Sequence, residues 1–502
     1  MAVENDIDIA GLAIHGLWKD QNDERHISHL QEDGQIKLYC TRGSALRKWI
    51  LHETHRNDET VLSEGAVDSA VSLIDSMCEL KGKDVLLSVR VARLNDSICV
   101  DSISSTLVVD EIGWRNQILA TPIFRRFSAM KPLATPVPGG DPKGILKFVN
   151  LKDELDQILF LTHLIFSFVP DIPHPILVLF GPQGASKSTA MKLYQSIIDP
   201  NVVSDIHTYS EMEFNLASQQ RWVVGLDNVS GISPKFSDTL CKHVSGMGHI
   251  KRRLYTTDDM IAQEYMRVVL MNGVGLAVDR PDLMDRCLLI SLERIDNSDR
   301  RDLASILKEF EIIRGDILGG CLDVLSKAMR IVQDVNLTFN TRMTDYARWG
   351  CAIAEALGYG KLKFIEALER NTLRQNEESL DASPIAAVIN FCFSKTNLAS
   401  LKGTATDILR ELRNRADGAG IEGRLLPQTP RILGKKLMEI KPNLEAEGYK
   451  VFFNRGKERI WIVEPPQRLR DDYKSKVDAS LASLPSLKPV GVFRSDNGSA
   501  NH

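Results

Sequence analysis

The chain has 502 residues, of which 43% are hydrophobic and 25% charged, and its formal net charge is −4. At roughly 150 residues per domain this leaves room for about three domains, and the composition excludes a mostly disordered or collagen-like chain. The overall charge excludes a polycation, so any affinity for nucleic acid must come from local patches.

The eight cysteines (Cys40, Cys78, Cys99, Cys241, Cys287, Cys321, Cys351 and Cys392) are scattered and form no CxxC pair. This removes the basis for a zinc ribbon and reads as reduced thiols in a cytoplasmic protein. The first residues, MAVENDIDIAG, lack the basic start and apolar run of a signal peptide. The longest apolar stretch, 158–169, is interrupted by His163 and is too short to span a bilayer, so no membrane association is expected.

In chain order, residues 1–110 mix short alternating runs with helical patterns. Residues 84–92 and 97–101 read as paired strands turning at Asn95-Asp96, and 46–51 and 66–77 carry helical spacing. A small α+β accessory domain is expected there, without a nucleophile or metal constellation. Residues 111–150 form a connector whose segment KPLATPVPGGDP (131–142) is a linker or a stiff extended arm. A helix over 151–168 opens the next domain, 151–298. Its apolar runs at 176–180, 222–226, 268–271 and 288–292 are those of strands covered on both faces, which predicts an α/β fold with a parallel sheet. Residues 299–378 read as helical, with Ile306, Phe310, Ile313 and Ile317 on one face. Residues 379–465 carry helices at 384–393, 404–415 and 430–440, then a hairpin of 449–453 and 459–463. Three helices and a hairpin in that order suggest a winged helix. The polar tail 466–502 reads as disordered.

The sharpest motif follows the run at 176–180. Gly181, Pro182, Gln183, Gly184, Ala185, Ser186, Lys187, Ser188 and Thr189 form a Gly-rich turn between a buried strand and a helix. Backbone N–H groups of such a turn converge on phosphates, and the helix N-terminus adds partial positive charge. Lys187 would contact the β- and γ-phosphates of ATP, and the Ser188 hydroxyl would ligate Mg²⁺. Ser186 stands where the usual pattern GxxxxGK[ST] has its second glycine, so a Cβ either crowds the phosphates or forces a different loop path.

Asp227 closes the apolar run at 222–226, where it can hold Mg²⁺ through water. Asn228 follows at a position that is acidic in most hydrolysing phosphate-loop proteins. An amide can orient water but cannot take its proton, so hydrolysis is expected to be slow or assisted by another acid. Residues 235–255 hold Lys235, Lys242, Lys251, Arg252 and Arg253 against one acid, Asp238. That suits a loop tracking a phosphate backbone, the alternative being a solvated charged loop. Asn272 ends another buried run, placed to sense the γ-phosphate. Arg280 or Arg286 could reach a nucleotide on a neighbouring subunit, or could pair with Asp282 or Asp285.

This order of phosphate loop, Asp-tipped strand, basic hairpin, Asn-tipped strand and arginine resembles the superfamily-three helicase branch of AAA+ ATPases. More narrowly, it resembles the primase-helicase-type ATPases of phages and integrated mobile elements. Segments similar to that family include Leu226-Asp-Asn228, Lys251-Arg-Arg-Leu-Tyr255, Arg280-Pro-Asp-Leu-Met-Asp-Arg286 and Arg342-Met-Thr-Asp-Tyr-Ala347, within a resemblance spanning roughly 110–465. The resemblance implies an AAA+ core, Asn272 as sensor, and Arg286 as the finger serving an adjacent subunit. It also implies Lys251 to Arg253 on a hairpin facing single-stranded or forked DNA in the channel of a homo-oligomeric, hexameric ring. The first 110 residues are too short for the family's primase module, and no priming activity is expected.

Residues 401–464 hold thirteen Lys or Arg and nine Asp or Glu. Arg431, Lys435 and Lys436 lie on the expected recognition helix, and Lys450, Arg455, Lys457 and Arg459 lie on or beside the wing. This is the footprint of duplex binding, although winged helices also contact proteins. Three readings follow: an ATP-driven motor on DNA in replication of a phage or mobile element, a nucleotide-gated DNA-binding or assembly protein with little hydrolysis, and a partner-binding regulator.

Overall fold

The computed structural model describes residues 12–58, 62–203, 205–206, 210–246, 249–252, 260–263, 266–273, 278, 280–296, 298–337, 341–396, 398–455 and 459–469. The chain divides between Gln375 and Asn376 into two compact units.

The first unit opens with an antiparallel meander of β1 (Gly16–Asp20), β2 (Arg25–Leu30) and β3 (Ile36–Cys40). Helices α1 (Ser44–Asp58) and α2 (Glu64–Lys81) follow, and β4 (Lys83–Val85) joins β1 in parallel. Ser63 caps α2 through the N–H of Ala66, and Val67, Ala70, Ile74 and Cys78 bury one helical stripe. A second antiparallel sheet contains β5 (Val91–Leu94), β6 (Ser97–Asp101), β7 (Thr106–Val109) and β8 (Trp114–Gln117).

The strand expected over 84–92 is therefore two strands in different sheets. Arg90 breaks it, taking a left-handed φ of 64°. The expected boundary at residue 110 falls inside the second sheet. One face of that sheet (Val91, Ile98, Val100, Leu107, Val109) joins the large core that follows.

Arg90 is fully buried. Its Nε donates to Asp199 Oδ1 at 2.9 Å, and its Nη1 and Nη2 donate to the carbonyls of Asp101 and Lys131. The other oxygen of Asp199 accepts the N–H groups of Trp222 and Val223. The Pro/Gly segment 131–142 is an arm packed on the long helix described below. Val137 N donates to Gly315 O, Gly139 N donates to Asp323 Oδ2, and a Cβ at Gly319 would collide with the Val137 carbonyl.

Next come α3 (Glu154–Phe166), β9 (Ile176–Phe180), α4 (Lys187–Ile198), β10 (Asp205–Ile206), α5 (Glu211–Gln220), β11 (Val223–Leu226) and α6 (Pro234–Ser245). The hairpin β12 (His249–Arg252) and β13 (Met260–Gln263) precedes β14 (Val268–Gly273), α7 (Pro281–Met284) and β15 (Cys287–Ser291). The sheet is all parallel in the order β10-β11-β14-β9-β15. Its central strands are buried throughout β11 and β14, as continuous apolar runs require. Helices α8 (Leu303–Ile331), α9 (Thr344–Ala356) and α10 (Lys361–Asp381) follow, with Phe310 and Ile317 of the expected stripe buried.

In the second unit, α11 (Pro384–Lys395), β16 (Leu401–Thr404), α12 (Ala405–Ala416), α13 (Pro430–Ala446), β17 (Lys450–Arg455) and β18 (Arg459–Glu464) form three helices on a sheet ordered β16-β18-β17. Ile389, Leu412, Leu437, Trp461 and Val463 fill its core. No helix among the described residues is long and apolar enough to cross a membrane.

Two predictions follow from burial. Removing one partner of a buried pair strands the other charge, at a cost of about 3–5 kcal/mol. Arg90→Ala should accordingly lower the urea midpoint of this unit far more than an exposed Arg→Ala change. His163, bonded to Tyr194 and the Pro175 carbonyl, and His174, packed on Phe166 and Trp222, are both held neutral by burial, at about 4 and about 3. The unfolded chain binds protons on both from about pH 6.5 downward while the folded chain refuses them. Stability present above pH 6.5 is therefore lost as pH falls towards 4. Thermal unfolding across that range should show the slope, and His174→Phe should flatten it.

Candidate functional site

Three neighbouring strands end at one edge of the parallel sheet. β9 runs into Gly181, β11 into Asp227, and β14, between them, carries Asn272 near its end, opposite Leu179 of β9. Asn272 is 2% exposed, yet its side chain is fully engaged. Its Nδ2 donates to Asp227 Oδ1 at 2.6 Å and reaches Ser188 Oγ at 3.5 Å, while its Oδ1 accepts the Asn228 N–H at 2.7 Å. Ser188 Oγ donates to the same Asp227 oxygen at 2.6 Å. Ser188, Asp227, Asn228 and Asn272, distant in sequence, are thus brought together.

The loop itself is an exposed crest at Pro182, Gln183 and Gly184, with Ala185 buried beneath it. Gly181 (φ 141°) and Gly184 (φ 81°) take conformations that side chains disfavour. A Cβ on Gly181 would also strike the Leu292 carbonyl. Ser186 caps α4 in a left-handed conformation (φ 57°, ψ 33°) and makes no side-chain cap bond. The substituted glycine position therefore keeps the glycine backbone, and the first turn of α4, with Thr189 in it, has no side-chain oxygen from Ser186 in front of it. Lys187 Nζ rests on the carbonyls of Gly181 and Pro182 at 2.7 and 2.9 Å, and partial burial lowers its pKa. The result is a Gly-rich turn at a helix N-terminus, with one ammonium folded on it, beside a hydroxyl and a carboxylate 2.6 Å apart. The two oxygens are hard donors of the kind Mg²⁺ takes, beside a cradle that could hold phosphate.

Arg286 is not among these residues. It precedes β15 at the opposite edge of the sheet, where its carbonyl accepts the N–H of Ile176 at the start of β9. Its guanidinium bonds Asp282 Oδ1 at 2.7 Å and is largely buried. Arg342 bonds Asp282 and Asp285 as well. Burial works against the charge on Asp282, but its bonds from Arg286 and Arg342 hold it down at about 2. Arg286 thus sits in a local ion-pair network, the pairing with Asp282 being one of the two roles its position allowed. Arg280 likewise bonds Asp238 at 2.6 Å.

Among the basic residues singled out, Lys242 is exposed on α6. Lys251 and Arg252 lie on β12 of the hairpin, opposite Ile261 and Met260. Arg253 and Lys457 lie outside the described residues, and Arg455 ends β17. Arg431 and Lys435 are exposed one turn apart on α13, and Glu439 pairs with both Lys436, at 3.1 Å, and Lys435, at 4.0 Å.

One grouping has no sequence signal. Cross-strand pairing of His26 with Cys40 brings both near Glu24, with ligand atoms within 4.8 Å. Glu24 is paired with Arg125, and His26 with Asp20.

Residues 143–378 match the family model described as the actinomycete integrative conjugative element replication protein, and residues 385–477 match that of the AICE RepA C-terminal domain. A search of curated proteins found no match. Two solved structures of the NrS-1 C-terminal region in its apo A form are similar to the chain. One has a TM-score of 0.42 and 13% identity, the other 0.40 and 11%, and each comparison covers 89% of this chain and 96% of that one.

The left-handed Ser186 generates a prediction. Ser186→Gly should stabilise the nucleotide-free protein by about 1 kcal/mol by relieving that conformation, read as a raised thermal midpoint, whereas Ser186→Ala should not. Across 143–378 and 385–477, the chain is similar to the replication protein of actinomycete integrative conjugative elements.

Proposed function

We propose that the protein is an ATP-dependent motor acting on DNA in replication of a mobile element. The observation that carries this reading is the convergence of Ser188, Asp227 and Asn272 beneath a Gly-rich loop with Lys187 at its base. Backbone N–H groups of 181–189 and Lys187 would hold the triphosphate, with Ser188 and Asp227 holding Mg²⁺ and Asn272 orienting Asp227. Bound Mg²⁺ would neutralise phosphate charge and orient the nucleotide for hydrolysis. Arg286, remote from its own loop, would serve a neighbouring subunit's nucleotide in a homo-oligomer.

The second unit supports a DNA-facing role. Its order of helix, strand, two helices and hairpin is that of a winged helix, and Arg431 and Lys435 are exposed on α13 where a recognition helix would present them. The hairpin of β12 and β13 would carry Lys251 and Arg252 to single-stranded DNA.

A second reading is a nucleotide-gated binding or assembly protein with little turnover. It is favoured by Asn228, an amide where a proton acceptor is needed, and by the ion pair that occupies Arg286.

ATP turnover with and without single-stranded DNA tests the motor. Wild type should be stimulated by DNA, and Lys187→Ala should fall roughly a hundredfold. Equal rates in all four samples overturn the motor. DNA binding supported equally by ATP and a non-hydrolysable analogue, with negligible turnover, establishes the second reading.

A further inference from the structure

The segment after β15 returns over the phosphate loop. Leu292 N donates to the Phe180 carbonyl, and Ile295 N donates to the Gly184 carbonyl at 3.3 Å. Its far side is tied down too: Asn150 Nδ2 donates to the Glu293 carbonyl, Lys152 pairs with the Glu293 carboxylate at 3.0 Å, and Asp302 caps α8 through the Ser305 N–H. The chain at 292–295 is thus bonded once to the end of β9 and once to the loop itself.

Arg300 sits on this connector. A Cβ at Gly184 would lie 2.7 Å from its Nη2. The guanidinium therefore rests directly on the crest of the loop, in the space a side chain at 184 would fill. Arg300 is exposed and has no hydrogen bond or ion pair with any described residue, although acids Asp296, Asp299 and Asp302 share its connector. By contrast, the neighbouring Arg301 pairs with Glu309. An unpaired planar cation held against a Gly-rich loop, one turn of chain from Lys187, is suited to phosphate oxygens, which guanidinium groups bind through two donors at once.

We propose that Arg300 is a phosphate-contacting residue acting in cis, closing from the connector onto the polyphosphate of a nucleotide held by its own loop. The inference rests on the nucleotide-binding reading of that loop. It assigns Gly184 a second duty besides its positive φ: leaving room for the guanidinium. It also separates the two arginines, since Arg300 lies at the carboxyl edge of the sheet beside the loop and Arg286 at the amino edge.

The test is titration of the full chain with mant-ATP and mant-ADP in Mg²⁺, with inorganic tripolyphosphate as competitor. A charge-assisted hydrogen bond is worth a factor of about ten or more in affinity. Arg300→Ala should therefore weaken mant-ATP binding about tenfold or more, with an unfolding midpoint equal to wild type because the residue is exposed. Arg300→Lys should recover part of the loss, and tripolyphosphate should compete less well on Arg300→Ala than on wild type. Affinity of Arg300→Ala within twofold of wild type overturns this inference and leaves the loop reading intact. Absence of nucleotide binding by wild type overturns both. Restoration of tight binding when Lys187→Ala chains, which still carry Arg300, are added to Arg300→Ala overturns the cis assignment.

Discussion

The order of five parallel strands fixes everything at the candidate site. Because β14 lies between β11 and β9, a residue at its carboxyl end has the tip of one neighbour on each side. Asn272 occupies that position, and its amide is matched to it. One end donates to Asp227, and the other accepts the N–H of Asn228, whose own φ of 58° turns the chain away. A carboxylate at 272 could not donate to Asp227, and an apolar residue would leave the Asn228 N–H and the Asp227 oxygen without this partner. Of the two sheet-end amides, Asn272 is built into the frame, whereas Asn228 presents its side chain to solvent.

The same sheet ties the loop to the rest of the unit through α4. At its start, Ser188 bonds Asp227, just past the end of β11. At its close, Asp199 accepts the N–H groups of Trp222 and Val223, where β11 begins. Helix and strand are pinned together at both ends. The second pin also holds Arg90, and through it the carbonyls of Asp101 and Lys131. Helix α4, strand β11 and the β5–β8 sheet therefore share one buried ion pair, and one large core packs that sheet with α3 and α8.

The parts legible in the sequence were those with a periodic or compositional signature. The central strands appear as β-branched runs because both their faces are covered, and the loop appears because glycines, lysine and serine sit at fixed spacing. The parts that were not legible depend on pairing across long separations. Residues 84–92 read as one strand because their apolar alternation is regular, but Arg90 leaves it to meet Asp199, over a hundred residues away. Strand β16 is only four residues long and contains Lys402 and Gly403, so nothing local marks it as the third strand against β18. Arg300 falls in the segment 299–378 that reads as helical, but the helix begins only at Leu303, and the return of the preceding chain over Gly184 gives Arg300 its place. The sequence around Arg286 offers both a neighbour-facing arginine and a partner for Asp282, because Asp282 stands one helical turn before it, and the pairing with Asp282 is the one formed.

The two edges of the sheet bear on how an assembly of such chains could work. A five-residue strand spans about 15 Å, more than an arginine side chain can bridge. Arg286, beside the start of β9, is therefore beyond the reach of the loop that follows the end of β9. Any action of Arg286 on a nucleotide must be on another chain's, and it requires the guanidinium to exchange Asp282 for phosphate. Asp282 also pairs with Arg342, so its carboxylate keeps a cationic partner when Arg286 leaves. That second partner lowers the cost of release, because the carboxylate is not left uncompensated. Arg300 requires no such exchange. The two arginines thus differ in place and in partner: Arg300 lies at the loop edge of the sheet, and Arg286 is paired at the far edge.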